Sequence, residues 1–175
     1  MRLVFYLAAI VLANVVTAKF APLEVGIFLI PMGSFLIGAT FIFRDLVQNK
    51  YGKTKTYLFI LLALTLSAIT SYILGDTLWI VFASALSFAV SETTDTEIYT
   101  RLHLPMNLRV LYSGMIGGLL DSAIFVVIGL SPMGANILPW NVIWMAILGQ
   151  VIVKTIMQFL GVLVLQAASV RKEVY

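Results

Sequence analysis

The chain falls into six apolar segments, each close to the length that crosses a lipid bilayer, joined by short polar connections. A hydrocarbon core of about 30 Å takes roughly 20 residues of helix. That ruler predicts spans over roughly residues 3–19, 25–43, 56–74, 77–98, 110–130 and 138–166. Composition points the same way: 61% of the residues are hydrophobic and 11% charged, where a soluble domain carries about a quarter charged. A soluble globular fold and a disordered chain are both excluded. The expectation is an all-α integral membrane protein forming one six-helix domain over residues 1–175. The apolar run behind Met1 and Arg2 reaches Ala18 without a small-residue cleavage site, so it reads as a retained first span.

Orientation follows from the cations. With a cytoplasmic N-terminus, the inner side collects Arg2, Arg44, Lys50, Lys53, Lys55, Arg101, Arg109, Arg171 and Lys172, and the outer loops hold Lys19 alone. This asymmetry predicts that both termini face the cytoplasm. Trp79, Trp140 and Trp144 follow outer connections, where amphipathic rings favour the headgroup level. Trp140 and Trp144 also share a helical face and are candidates to line a vestibule. The net charge of +3 is a topogenic signal in such a chain, not a nucleic-acid one. With no cysteine and one histidine, His103, neither thiol chemistry nor a metal site is expected, and no cofactor is implied.

An ionisable residue deep in a span costs about 2.5 to 3.5 kcal/mol on insertion scales, so each marks a structural pair or a functional path. Asp121 lies in the fifth span. Lys154 lies in the sixth, flanked at four-residue spacing by Gln150 and Gln158, so the three form one polar stripe. Glu92 and Asp95 share a face of the fourth span, and Asn14 lies in the first. Either Lys154 and Asp121 simply brace two helices, or the group grips a solute. Small residues recur at four-residue spacing in Ala9, Ala13 and Thr17 and in Gly114 and Gly118. They suit close helix packing, or, for the first set, docking of another membrane subunit. Pro31, Gly33 and Gly38 predict a kinked second span. That span ends in Arg44 and Asp45, in local contact, before a turn in which Gly52 follows Tyr51 and caps the helix.

With these residues placed, the chain resembles the queuosine precursor transporters, also called the vitamin uptake transporter family, over nearly its whole length. The likeness rests on Phe43-Arg44-Asp45-Leu46-Val47 leading to Tyr51-Gly52-Lys53, on Asp95 followed by Ile98-Tyr99, on Asp121-Ser122-Ala123-Ile124-Phe125, and on Lys154. It departs from the family at Asn49 and Lys50, where many members carry an acid, and in lacking a late Thr-Pro in the last helix. The resemblance implies a multi-pass protein of a prokaryotic inner membrane that imports 7-deazaguanines such as 7-cyano-7-deazaguanine. It also implies a fold like the substrate-binding subunits of energy-coupling-factor transporters, with an ATPase module as a candidate partner.

The chemistry of a purine-like solute fits the candidates between helices four, five and six. Asp121 or Asp95 can accept a ring N–H and exocyclic amine side by side, Lys154, Gln150 or Asn14 can donate to its carbonyl, and Phe88, Trp140 or Trp144 can cover its faces. Arg44, Asp45, Tyr51 and Gly52 form a candidate cytoplasmic gating motif. No segment matches the phosphate-binding pattern G-x-x-x-x-G-K-[ST]. Two other classes compete. An intramembrane hydrolase would use Asp95 and Asp121 as an acid pair, and a noncatalytic membrane partner would tolerate loss of the interior acids.

Overall fold

A computed structural model describes residues 2–173, and these form six helices and one short hairpin. The helices are α1 (Arg2–Lys19), α2 (Ser34–Tyr51), α3 (Lys53–Ile73), α4 (Leu78–Arg101), α5 (Met106–Ile124) and α6 (Trp140–Glu173). A π-helical segment, Phe125–Leu130, continues α5. Four helical segments are long and apolar enough to cross a membrane: Arg2–Lys19, Lys53–Ile73, Met106–Leu130 and Trp140–Ala167. The other two, α2 and α4, are the pair that carry Arg44, Asp45, Glu92 and Asp95. The side chains of Arg171 and Lys172, counted above among the inner cations, lie outside the described residues.

The second segment differs from the expected helix over 25–43. Its first part folds as an antiparallel hairpin of β1 (Leu23–Val25) and β2 (Phe28–Ile30), with Leu23 opposite Ile30 and Gly26 at positive φ in the turn. Pro31 follows β2 and Gly33 stands at the N-cap of α2, so these residues separate two elements and do not kink one. The physical reason is that proline cannot supply the N–H that a helix interior needs. Helix α2 consequently begins nine residues later than expected and runs to Tyr51, where Gly52, at φ 81, ends it and donates its N–H to the Gln48 carbonyl at 2.9 Å.

Small residues set how closely the helices approach. Ala9 and Ala13 are buried, and a side chain at Gly33 would run into the Ala13 carbonyl at 2.6 Å, so the small stripe of α1 receives the start of α2. Helix α5 does the same for its neighbours. A Cβ on Gly117 would stand 3.1 Å from both Asp95 of α4 and Phe41 of α2, and one on Gly114 would meet the Gln158 amide of α6 at 2.5 and 2.9 Å. In place of that Cβ, Gln158 Nε2 donates to the Val110 carbonyl at 2.7 Å. The π-helical turn is pinned by Trp79, whose indole N–H donates to the Ile128 carbonyl at 2.7 Å.

Gly114→Val is expected to displace Gln158 and destabilise the fold by about 1 to 3 kcal/mol, the usual range for overpacking. Thermal unfolding of the detergent-purified variant measures this, and an unchanged midpoint would contradict the packing described.

Candidate substrate cavity and buried ion network

One face of α4 explains the cavity. Ile80, Ser84, Ser87, Phe88, Ser91 and Glu92 recur at three- and four-residue intervals, so they share a stripe, and all of them line a cavity of about 260 Å³. Ser67 and Ser71 of α3 face it at four-residue spacing, as do Asn14 of α1, Phe41 of α2, Phe125 of the π-helical turn and Gln150 of α6. The cavity runs from exposed Pro22 and Ile137, at the hairpin end, down to Glu92, Asp121 and Gln150. The serines satisfy themselves locally: Ser87 donates to the Ser84 carbonyl at 3.1 Å and Ser91 to the Phe88 carbonyl at 3.2 Å. Asn14 ties α1 to α3 through the Ser67 carbonyl at 3.0 Å and its hydroxyl at 2.9 Å.

Below the cavity lies Arg44, fully buried. It is not a loop cation in local contact with Asp45 alone. Each guanidinium nitrogen meets a different carboxylate: NH1 lies 2.9 Å from Asp45, Nε lies 3.1 Å from Glu92, and NH2 pairs with Asp95. NH1 also donates to Gln48 Oε1 at 2.9 Å and to the Thr96 hydroxyl at 3.2 Å, and Gln48 bonds to Thr100 at 2.9 Å. Arg44 and Gln48 therefore clamp α2 to α4. Toward the basic end, Ile42, Tyr99, Val110 and Val162 form an apolar layer. At that end Lys53 lies 2.6 Å from Glu97, the Tyr57 hydroxyl donates to Glu97 at 2.5 Å, and Arg109 stacks over Tyr99 at 4.0 Å.

A second buried pair joins α5 and α6. Lys154 Nζ donates to Asp121 Oδ2 at 2.6 Å, to the Ser122 hydroxyl at 2.8 Å and to Gln150 Oε1 at 3.4 Å. An ammonium has three N–H donors, so Lys154 is saturated. Two groups on the cavity wall are not. Gln150 Nε2 and Glu92 Oε1 are buried without a hydrogen bond, and the buried Tyr6 hydroxyl lies beside Glu92. Buried polar atoms in this condition are uncommon and call for an explanation.

The predicted site residues thus divide. Asp121, Glu92, Gln150, Asn14 and Phe88 line the cavity. Lys154 stands behind that wall on Asp121 and Gln150, Asp95 is held by Arg44, and Gln158 is bound to Val110. Trp140 and Trp144 are 53% and 50% exposed on the outer surface of α6. Tyr51 packs edge-on against Phe59 with centroids 5.4 Å apart, at the basic end with Gly52. Asp121 pairs with Lys154, whereas Asp95 shares Arg44 with Asp45 and Glu92, so the two aspartates face different cations. The serine faces of α3 and α4, Phe41 and Phe125 were missed by sequence reasoning, although the serine spacing was there to find.

Apolar helices of membrane-spanning length around an interior cavity lined by both apolar and polar side chains define a multi-pass membrane protein with room for a small solute. The sequence matches the family model described as "Putative vitamin uptake transporter" over residues 70–168, more than half of the chain, and the chain belongs to that family. No curated protein and no solved structure gives a significant match.

Lys154→Met alone strands the Asp121 carboxylate, and breaking a buried pair costs about 3 to 5 kcal/mol. The double variant Asp121→Leu with Lys154→Met is expected to regain most of that loss, which a double-mutant cycle on chemical unfolding reads directly.

Proposed function

We propose that this protein is a six-span importer of a 7-deazaguanine queuosine precursor, 7-cyano-7-deazaguanine or a close relative, with both termini in the cytoplasm. The direction is supported by the charges. Arg2, Lys53, Arg101 and Arg109 lie at the helix ends opposite the hairpin, and cations mark the cytoplasmic side, so the cavity mouth faces outward. Crossing by α2 and α4 is supported by their partnership: the charges that lower their apolarity are turned onto each other.

The observation that carries the substrate is the unpartnered Gln150 amide next to Asp121. Lys154 binds both residues, so it holds a donor and an acceptor side by side on the cavity wall. A guanine-like edge offers the complement: its ring N–H and exocyclic amine donate to Asp121, and its carbonyl accepts from Gln150 Nε2. Phe41, Phe88 and Phe125 supply aromatic surface for the bicyclic ring. At about 260 Å³ the space is slightly below the usual range for drug-sized ligands, which begins near 300 Å³, as suits a small solute. Lys154 acts here as a positioning residue. With no nucleotide-binding loop in the sequence, transport runs on an ion gradient, on the solute's own gradient or on a partner ATPase.

The test is binding and uptake. 7-Cyano-7-deazaguanine should raise the thermal midpoint of the purified protein with concentration, and labelled compound should accumulate in proteoliposomes. Gln150→Leu is expected to weaken binding roughly ten- to hundredfold, the usual penalty for leaving a polar ligand group unpaired. Absence of stabilisation and of uptake would exclude this substrate.

A further inference from the structure

The ions inside the bundle do not balance. Four buried carboxylates, Asp45, Glu92, Asp95 and Asp121, face the buried cations Arg44 and Lys154. Arg109 of α5, at the inner end, adds a third cation whose field reaches Asp45. Asp121 is neutralised directly by Lys154, and Asp45 is served by Arg44 with Arg109. Glu92 and Asp95 are then left to share one guanidinium. At least one negative charge is in excess. An uncompensated charge in a low-dielectric interior is strongly disfavoured, so something positive completes the cluster. Among the described residues no group of three or more His, Asp or Glu could hold a metal ion. A proton fits the space and the count.

Geometry selects the acceptor. Asp95 lies on the far side of the cluster, against α5 at Gly117, and does not line the cavity. Glu92 does line it. One of its oxygens is held by Arg44 Nε and the other, buried, has no hydrogen bond. The groups facing it are Tyr6 from α1, Arg44 and Asp45 from α2, Asp95 on its own helix and Asp121 from α5, the last carrying Lys154 of α6. Glu92 is therefore the group through which the cluster meets water from the outer side.

We infer that Glu92 is a proton-binding site and that import is proton-linked, the second clause resting on the transporter reading above. A hydronium ion in the cavity gives one proton to the free Glu92 oxygen and leaves as water. The cluster is then neutral, which is the form in which the cavity can close over its solute without sealing in an unpaired charge. On the inner side the proton passes to water and the carboxylate resumes its ion pair with Arg44. One proton enters with each solute.

Two measurements decide. Infrared spectroscopy of the purified, ligand-free protein at neutral pH should show the C=O band of a protonated carboxyl that shifts in D2O, is absent from Glu92→Gln and persists in Asp95→Asn. Proteoliposomes with an acidic exterior should take up labelled 7-cyano-7-deazaguanine several-fold faster than without the gradient, and a protonophore should abolish the difference. In Glu92→Gln the ratio of rates should fall to about one. A spectrum without the band, or a band that follows Asp95 instead, overturns the proton site. Uptake that ignores the gradient in the unmodified protein overturns the coupling. If the band is present but the compound neither binds nor enters, the proton site stands and the substrate reading falls. Should Glu92→Gln fail to fold, the D2O shift, the Asp95→Asn spectrum and the protonophore result on unmodified protein still decide.

Discussion

The Arg44 guanidinium organises this molecule. Removing a cation from water into an apolar bundle is unfavourable by several kcal/mol even after relaxation, and the attraction of nearby carboxylates offsets it only when they are well placed. Here each of its three nitrogens has a separate acidic partner, two of them on α4. The consequence is mechanical as much as electrostatic. The two helices least suited to lipid are drawn to each other, and the more apolar α1, α3, α5 and α6 present their exposed leucines, isoleucines and phenylalanines outward.

From that clamp the asymmetry of the cavity follows. Toward the basic end, the Arg44 and Gln48 bonds to α4 stand against an apolar layer built on Ile42, Tyr99 and Val110. Toward the hairpin end, self-satisfied serines and phenylalanines line the opening, and among the described residues no ion pair there ties α2 to α4 as Arg44 does. Opening the inner side requires breaking the guanidinium's pairs. Under the proposed import cycle, the Arg44 contacts between α2 and α4 would double as the barrier on that side, and the charge on Glu92 would set how firm the barrier is.

Much of this was legible from residue order, and the losses have physical causes. The hydropathy ruler found all six helices because apolar run length is what a bilayer measures. It misplaced the second because it cannot distinguish apolar strand from apolar helix: Val25 and Phe28–Ile30 continue the apolar run without a break that hydropathy can see. That shift carried Arg44 with it. With a helix over 25–43 the arginine falls just outside the membrane, whereas in Ser34–Tyr51 it lies past the helix midpoint and faces α4. The serine faces were overlooked for a different reason. A serine in a helix satisfies itself on a carbonyl one turn back, so it raises no alarm of the kind that Asp121 or Lys154 does. The pairing of Lys154 with Asp121 was foreseen only as an alternative, since spacing along a chain says nothing of which helices become neighbours.

In the proposed importer, that pairing would serve as brace and grip at once. A flexible lysine free in a cavity would lose much of its rotational freedom on meeting a solute, and that loss would weaken binding. Lys154 has already made its three bonds, to Asp121, Ser122 and Gln150, so the ordering is complete before a ligand arrives. What it leaves exposed to the cavity is an acceptor and a donor fixed in register, one carboxylate and one amide. A saturated ion pair is therefore the better recognition device, because specificity comes from the direction of the neighbouring groups it holds and the charge itself stays neutralised.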